Sequence, residues 1–263
     1  MFAYRKKTRE ETLREQIKQL AKEHYRWGYR LLFNYIRRLG ENANHKKFLR
    51  IYREEHLQIG KRSRRKERRF DRIKSEEPKG INERWSMDFM YDVLENKRSY
   101  RILNVIDDYS RECLCCEVSR SFGGYDVAEA LEKLISRYGK PKVIKSDNGA
   151  EFRSRYMEKW SKERGITLEF TRPGKPTENG QIESFNGTMR NELLRGIEFE
   201  SVREARAELE KWREKYNNER PHSALNYEPP SSRRRPHGGD GKENKLETTK
   251  PINNNISQVN LLP

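Results

Sequence analysis

The sequence predicts an α/β protein, a mixed five-stranded sheet flanked by helices and preceded by a small all-α unit. Three observations predict it. Apolar residues near the N-terminus recur at helical spacing, three strand-like runs follow one another through short turns after Pro78, and helices and strands alternate from Tyr125 onward.

In the first stretch, Leu13, Ile17 and Leu20 mark one helix, Tyr29, Leu32, Phe33 and Ile36 a second, and Phe48, Leu49 and Tyr52 a third. Gly40, after Leu39, supplies the left-handed residue that ends the second helix, and Asn42 or Asn44 offers a side-chain cap for the third. A helix, a Gly-containing turn and a second helix that carries His45, Lys46, Lys47 and Arg50 outward has the geometry of helix-turn-helix DNA readers. The alternative is a three-helix packing unit with no DNA role. From Lys61 to Arg72 come Lys61, Arg62, Arg64, Arg65, Lys66, Arg68, Arg69 and Arg72, against Glu67 and Asp71. Such a segment can lie along phosphates through salt-sensitive, sequence-independent contacts, or serve as a solvated linker.

Strands are expected over Trp85 to Leu94, Tyr100 to Asp107 and Glu112 to Val118, with turns at Glu95 to Lys97 and Asp108 to Arg111. A helix from Tyr125 to Arg137 leads to a short strand, Lys142 to Lys145. The chain then runs through a helix (Ser154 to Glu163), a strand (Ile166 to Phe170), a Pro/Gly-rich loop (Arg172 to Gly180), a long helix (Gln181 to Leu194) and another (Ser201 to Asn217). Three strands with short turns, then alternating helices and strands, make a mixed sheet. The expected organisation is a helical unit over 1–60, a basic linker over 61–80, an α/β core with a C-terminal helix over 81–230 and a disordered polar tail over 231–263.

The 263 residues include 57 Lys+Arg against 41 Asp+Glu, a net charge of +16, which points to a polyanionic partner, nucleic acid ahead of an anionic membrane surface. With 33% hydrophobic residues, a core cannot run through the whole chain. There is no apolar run long enough for a membrane span, and no signal-peptide pattern follows Met1. Cys113, Cys115 and Cys116 are too close together for a disulfide framework and lack a His or Cys cluster that would make a zinc site, so they read as strand residues of a protein kept in a reducing compartment.

Three carboxylates stand out. Asp88 lies inside the apolar strand Trp85-Ser86-Met87-Asp88-Phe89, Asp147 ends the Lys142 strand, and Glu183 opens the helix after the Pro/Gly loop. An unpaired carboxylate in a core-forming strand is costly. Carboxylates grouped at the ends of adjacent elements repel one another unless a divalent cation sits between them, and oxygen ligands suit Mg²⁺ or Mn²⁺. Asp107 and Asp108 begin a turn and read as structural, Glu151 as supporting the site or paired with a Lys, and His222 as structural.

The spacing of the three acids, and the motifs Ser146-Asp147-Asn148-Gly149-Ala150-Glu151-Phe152 and Arg172 to Gly187 around the second and third, resemble the DDE transposase and retroviral integrase superfamily. Tyr216-Asn217-Asn218-Glu219-Arg220-Pro221-His222 resembles the closing motif of bacterial insertion-sequence transposases, and the Trp27 to Leu57 stretch their helix-turn-helix segment. Within them, the resemblance is to the subgroup whose catalytic protein comes from the downstream of two overlapping frames. His24, His45 and His56 have no cysteine partners, which disfavours the zinc-bearing retroviral type.

The resemblance implies a ribonuclease H-like core and metal-dependent DNA end cleavage and strand transfer. It implies Asp88, Asp147 and Glu183 as catalytic metal ligands for two Mg²⁺ ions, with Mn²⁺ as substitute. Double-stranded DNA, as element ends and target, is the expected partner. So are further copies of the chain on that DNA, and an upstream-frame helix-turn-helix protein. A bacterial, cytoplasmic, DNA-associated protein is expected. Arg190, Lys175 and Asn179 are expected to face DNA, with local pairing and an ordinary connector loop as the alternatives. Two rival functions stay open: a metal-dependent nuclease on the same fold, and a catalytically inactive DNA-binding remnant.

Overall fold

A computed structural model of the chain describes residues 2–60, 77–172 and 179–234, with side chains from residue 9 onward. The N-terminal unit has three helices, α1 (Phe2–Glu23), α2 (Tyr29–Arg38) and α3 (His45–Glu54). Leu13, Ile17 and Leu20 of α1 bury against Leu32, Phe33 and Ile36 of α2 and Phe48, Ile51 and Tyr52 of α3. Trp27 closes this core, whereas Leu49, expected inside, is only half-buried, Ile51 taking the inward position. Asn44 caps α3 by accepting from the amides of Lys46 and Lys47, and Gly40 takes φ +94° after α2. Arg14 of α1 reaches Glu54 at 2.6 Å and Glu55 at 2.5 Å, fastening α1 to the end of α3.

The core follows the expected order of elements. Strands β1 (Arg84–Val93), β2 (Ser99–Asp107) and β3 (Cys113–Ser119) form an antiparallel meander. Then come α4 (Gly124–Tyr138), β4 (Val143–Ser146), α5 (Arg155–Arg164), β5 (Thr167–Phe170), α6 (Gly180–Met189) and α7 (Val202–Asn218). The sheet order is β3-β2-β1-β4-β5, with β4 and β5 parallel to β1. Two cores sandwich it. Trp85, Met87, Leu103 and Val105 meet α4 and α5 on one face, and Met90, Ile102 and Ile106 meet α6 and α7 on the other.

The helix expected through Leu194 changes character. At Arg190 the α-helical pattern gives way to one π-helical turn, Arg190–Leu194, with more residues per turn, and the adjacent Leu193 and Leu194 both reach the core. The helical unit touches the core where Arg38 donates to the Glu219 carbonyl at 2.5 Å and Arg26 to the Arg195 carbonyl at 3.4 Å. Arg64, Arg65, Arg68 and Arg69, Lys175, and the tail from residue 235 lie outside the described residues.

Candidate active site

The site starts on β1, whose side chains alternate between the two sheet faces. Met87 and Phe89 face α4 and α5, so Asp88 shares the opposite face with Met90, toward α6. Ser86 opposite Lys145 is the last pair of the parallel β1/β4 ladder. Asp88 and Asp147 each lie two residues beyond it, which sets them side by side where the ladder opens. Glu183 is exposed in the first turn of α6, the helix that crosses this end of the sheet.

Asp88 is held by two hydrogen bonds, one to each oxygen. The Phe89 amide donates to its Oδ1 at 2.9 Å, and Asn186 Nδ2 donates to its Oδ2 at 2.8 Å. Asn186 in turn accepts at 2.8 Å from Asn104 Nδ2, and Asn104 is fully buried on β2 directly opposite Asp88. Burial, then the negative charges of Asp147 and Glu183, push the Asp88 carboxyl up to about 6, against the pull of the Phe89 amide and Asn186. The three acids are therefore one electrostatic neighbourhood. Asp147 is exposed, and its Oδ1 accepts from the Gly149 amide at 2.9 Å. A Cβ on Gly149 would stand 3.0 Å from Asp147 Oδ1 and 3.2 Å from Glu151 Oε2, so glycine suits this crowded turn.

Asp88, Asp147 and Glu183 have no His or Cys among them, so any cation they held would have oxygen donors only, the kind that suits Mg²⁺ or Mn²⁺. The repulsion that raises Asp88 is what a bound cation would relieve. Among the described residues no three His, Cys, Asp or Glu side chains are gathered tightly enough to enclose an ion.

Other expected residues fare differently. Glu151 pairs with Arg101 at 2.5 Å, not with a lysine, because Arg101 on β2 projects beneath its loop. Asn179 is buried at 6% exposure, since it leads directly into α6, whose Ile182 and Phe185 anchor in the core. Arg190 is exposed, and its guanidinium donates to the Tyr91 carbonyl at 3.5 Å, three residues along β1 from Asp88. Its expected neighbour Glu192 is paired with Arg220 at 2.8 Å. On α3, Arg50 bridges Glu10 at 2.6 Å and Glu54 at 2.8 Å, and Lys47 reaches Glu10 at 3.4 Å, so their charges are partly offset. Lys46 projects with no ion-pair partner among the described residues.

The residues expected to be structural are so. Asp107 accepts from the Asn82, Tyr109 and Ser110 amides, and Asp108 pairs with Arg84 at 2.5 Å. Burial holds the His222 imidazole down at about 3, its ring edge-on to Tyr216 at 4.7 Å. Cys113 and Cys116 are free thiols buried in β3. The sequence reading missed Arg101 and the Asn104–Asn186 chain. A lone asparagine inside Ile102-Leu103-Asn104-Val105-Ile106 is the signal that could have found the chain.

Comparison with known proteins agrees with this geometry. Residues 78–176 and residues 164–230 each match a family model described as an integrase core domain. The chain is 41% identical over 221 residues to the insertion element IS407 31.7 kDa protein of Burkholderia multivorans, covering 84% of this chain and 80% of that one. This chain belongs to the integrase-core family of insertion-element transposases. Membership makes it a polynucleotidyl transferase of the transposase/integrase type. The insertion element IS476 39.2 kDa protein of Xanthomonas euvesicatoria is 38% identical over 221 residues, 84% of this chain and 64% of that one. The transposase for insertion sequence element IS904 of Lactococcus lactis is 28% identical over 152 residues, 57% of this chain and 60% of that one. Among solved structures, the integrase-core fold recurs in the simian T-cell lymphotropic virus intasome in complex with PP2A regulatory subunit B56 gamma. That match has a TM-score of 0.55 and 18% identity, covering 89% of this chain and 80% of that chain. No described helix is long and apolar enough to cross a membrane.

Proposed function

We propose that this transposase cleaves the ends of its insertion element and joins them to target DNA, by metal-dependent in-line displacement at phosphorus, with Asp88, Asp147 and Glu183 as the catalytic carboxylates. The observation that carries the reading is the shared register of Asp88 and Asp147 at the open end of the β1/β4 ladder, with Glu183 close enough to raise the Asp88 carboxyl. These three side chains would hold two Mg²⁺ ions, with Mn²⁺ as substitute. When bound, the ions supply Lewis acidity, lowering the pKa of the attacking hydroxyl and offsetting charge on the departing 3′-oxygen.

The chain's own residues supply position. Asn186 and the Phe89 amide fix both oxygens of Asp88, so it meets its ligand in one orientation. The Gly149 amide does the same for one oxygen of Asp147. Double-stranded DNA binds across this face. Lys46, Lys47 and Arg50 of α3, the basic residues Arg64, Arg65, Arg68 and Arg69, Lys175 and Arg190 supply its phosphate contacts, while Asn179, buried at the start of α6, does not face DNA. The chain acts in the bacterial cytoplasm as a homo-oligomer that brings two element ends together, with an upstream-frame helix-turn-helix protein as an auxiliary end binder.

Labelled terminal repeats, taken from DNA flanking the gene and offered with a plasmid target in Mg²⁺ or Mn²⁺, test the reading. Joined products from wild type and none from Asp147→Asn, with equal DNA binding by both, support it. Cleavage without joining makes the protein a nuclease. Equal reaction by the two proteins removes Asp147 from the site.

A further inference from the structure

Arg101 lies on β2 opposite Tyr91, on the sheet face away from Asp88. Its guanidinium sits 4.0 Å from the Phe89 ring centroid and 5.0 Å from that of Tyr91. Nη1 donates to Glu151 Oε1 at 2.5 Å, the two side chains being 14% and 23% exposed. Its Nε is buried and has no hydrogen-bond partner among the described residues. An orphaned donor is costly, so the ion pair and the aromatic rings hold the side chain in place.

Glu151 belongs to the turn that carries Asp147. Its Oε2 would lie 3.2 Å from a Cβ placed on Gly149, whose amide donates to Asp147 Oδ1 at 2.9 Å. The next residue, Phe152, stacks on Phe89 with centroids 4.9 Å apart and planes 7° from parallel. A closed circuit of contacts thus runs from Asp147 through Gly149, Glu151 and Arg101 to Phe89, the neighbour of Asp88. A partly buried ion pair adds little net stability beside apolar residues of the same size. Its directional hydrogen bond does fix geometry.

We propose that the Arg101–Glu151 pair is a positioning clamp that locks the Asp147 turn against the strand bearing Asp88 and so sets the separation of the two carboxylates for a divalent cation. The inference rests on the reading of Asp88 and Asp147 as metal-holding acids. Neither clamp residue touches the reacting atoms. Arg101 works from the reverse face of the sheet.

The test uses the full chain as wild type, Arg101→Ala, Glu151→Gln and Arg101→Lys. Amide hydrogen exchange at Gly149 to Glu151 is measured without metal, Mn²⁺ affinity by calorimetry, and DNA affinity in EDTA. Arg101→Ala and Glu151→Gln are expected to speed exchange in the turn and to weaken Mn²⁺ binding by about tenfold or more, with DNA affinity unchanged. Arg101→Lys is expected to restore most of both. Unchanged exchange overturns the clamp, as does unchanged Mn²⁺ affinity. A parallel fall in unfolding midpoint and DNA affinity would make the pair merely structural and overturns it as well. Wild type that binds no Mn²⁺ overturns the metal role of the acids instead, while the metal-free exchange still decides whether the turn is clamped.

Discussion

Asp147 stands to Asp88 in the same register that Lys145 has to its ladder partner Ser86, so the interval between these acids in the sequence is the interval between two paired strands. The first prediction concerns the cost of that proximity. Asp88 has its carboxyl raised to about 6, so the folded protein keeps this proton at pH values where the unfolded chain has lost it. Its stabilising share is complete below about pH 4, falls away as pH rises toward 6, and is absent above. Asp88→Asn is therefore expected to stabilise the metal-free protein by about 2 kcal/mol at pH 8, and by much less near pH 4. Mg²⁺ should raise the unfolding midpoint of wild type and leave that of Asp88→Asn unmoved.

Asn186 donates to Asp88 and accepts from buried Asn104. Asn186→Ala leaves the buried Asn104 amide with only its long contact to Met189 Sδ at 3.9 Å, and Asp88 held at one oxygen alone, by the Phe89 amide. Chemical denaturation is expected to show a loss of about 1 to 3 kcal/mol. Strand transfer should fall about tenfold or more, with DNA affinity in EDTA preserved.

On α3 the cations are not equivalent. Lys46 has no ion-pair partner among the described residues, whereas Arg50 is shared between Glu10 and Glu54. If α3 meets phosphates, Lys46→Ala should lower the slope of log affinity against log salt by about one, and Arg50→Ala by clearly less. Filter binding at several salt concentrations reads both slopes, and equal slopes in all three proteins would remove α3 from the DNA interface.

His222 gives a prediction at acid pH. Burial depresses its pKa to about 3, so between about pH 6.5 and 3 the unfolded chain binds a proton that the folded one does not. This share of stability is present above pH 6.5 and is lost as pH falls, with a slope approaching about 1.4 kcal/mol per pH unit. His222→Phe keeps the ring against Tyr216 and should flatten that portion of the stability profile measured by denaturant titration.

Much of this was legible before any coordinates. Asp88 betrayed itself because a strand otherwise filled with Trp, Met and Phe has no local use for a carboxylate, and the alternating apolar residues placed all five strands within a residue or two. What escaped depended on contacts remote in sequence. Arg101 looks like any strand cation until β2 sets it beneath the Asp147 turn, and Glu151 shows its partner only there. The π-helical turn at Arg190 is invisible in the sequence because Leu193 and Leu194, both buried in it, give the same apolar pattern as an ordinary helix. Ile51 and Leu49 are equally apolar, and only the packing of α1 and α2 against α3 selects between them.

The mixed direction of the sheet carries a last consequence, for the order of events during synthesis. The β1/β2 hairpin closes a short local loop, but β1 meets β4 only after two strands and a helix have been made, and α6 arrives later still. On the proposed reading, the centre that would break DNA is consequently among the final parts of the molecule to form. On that reading, a chain still emerging from the ribosome, or stalled part-way through folding, would carry its N-terminal basic residues without the assembled carboxylates, and would grip the chromosome without cutting it.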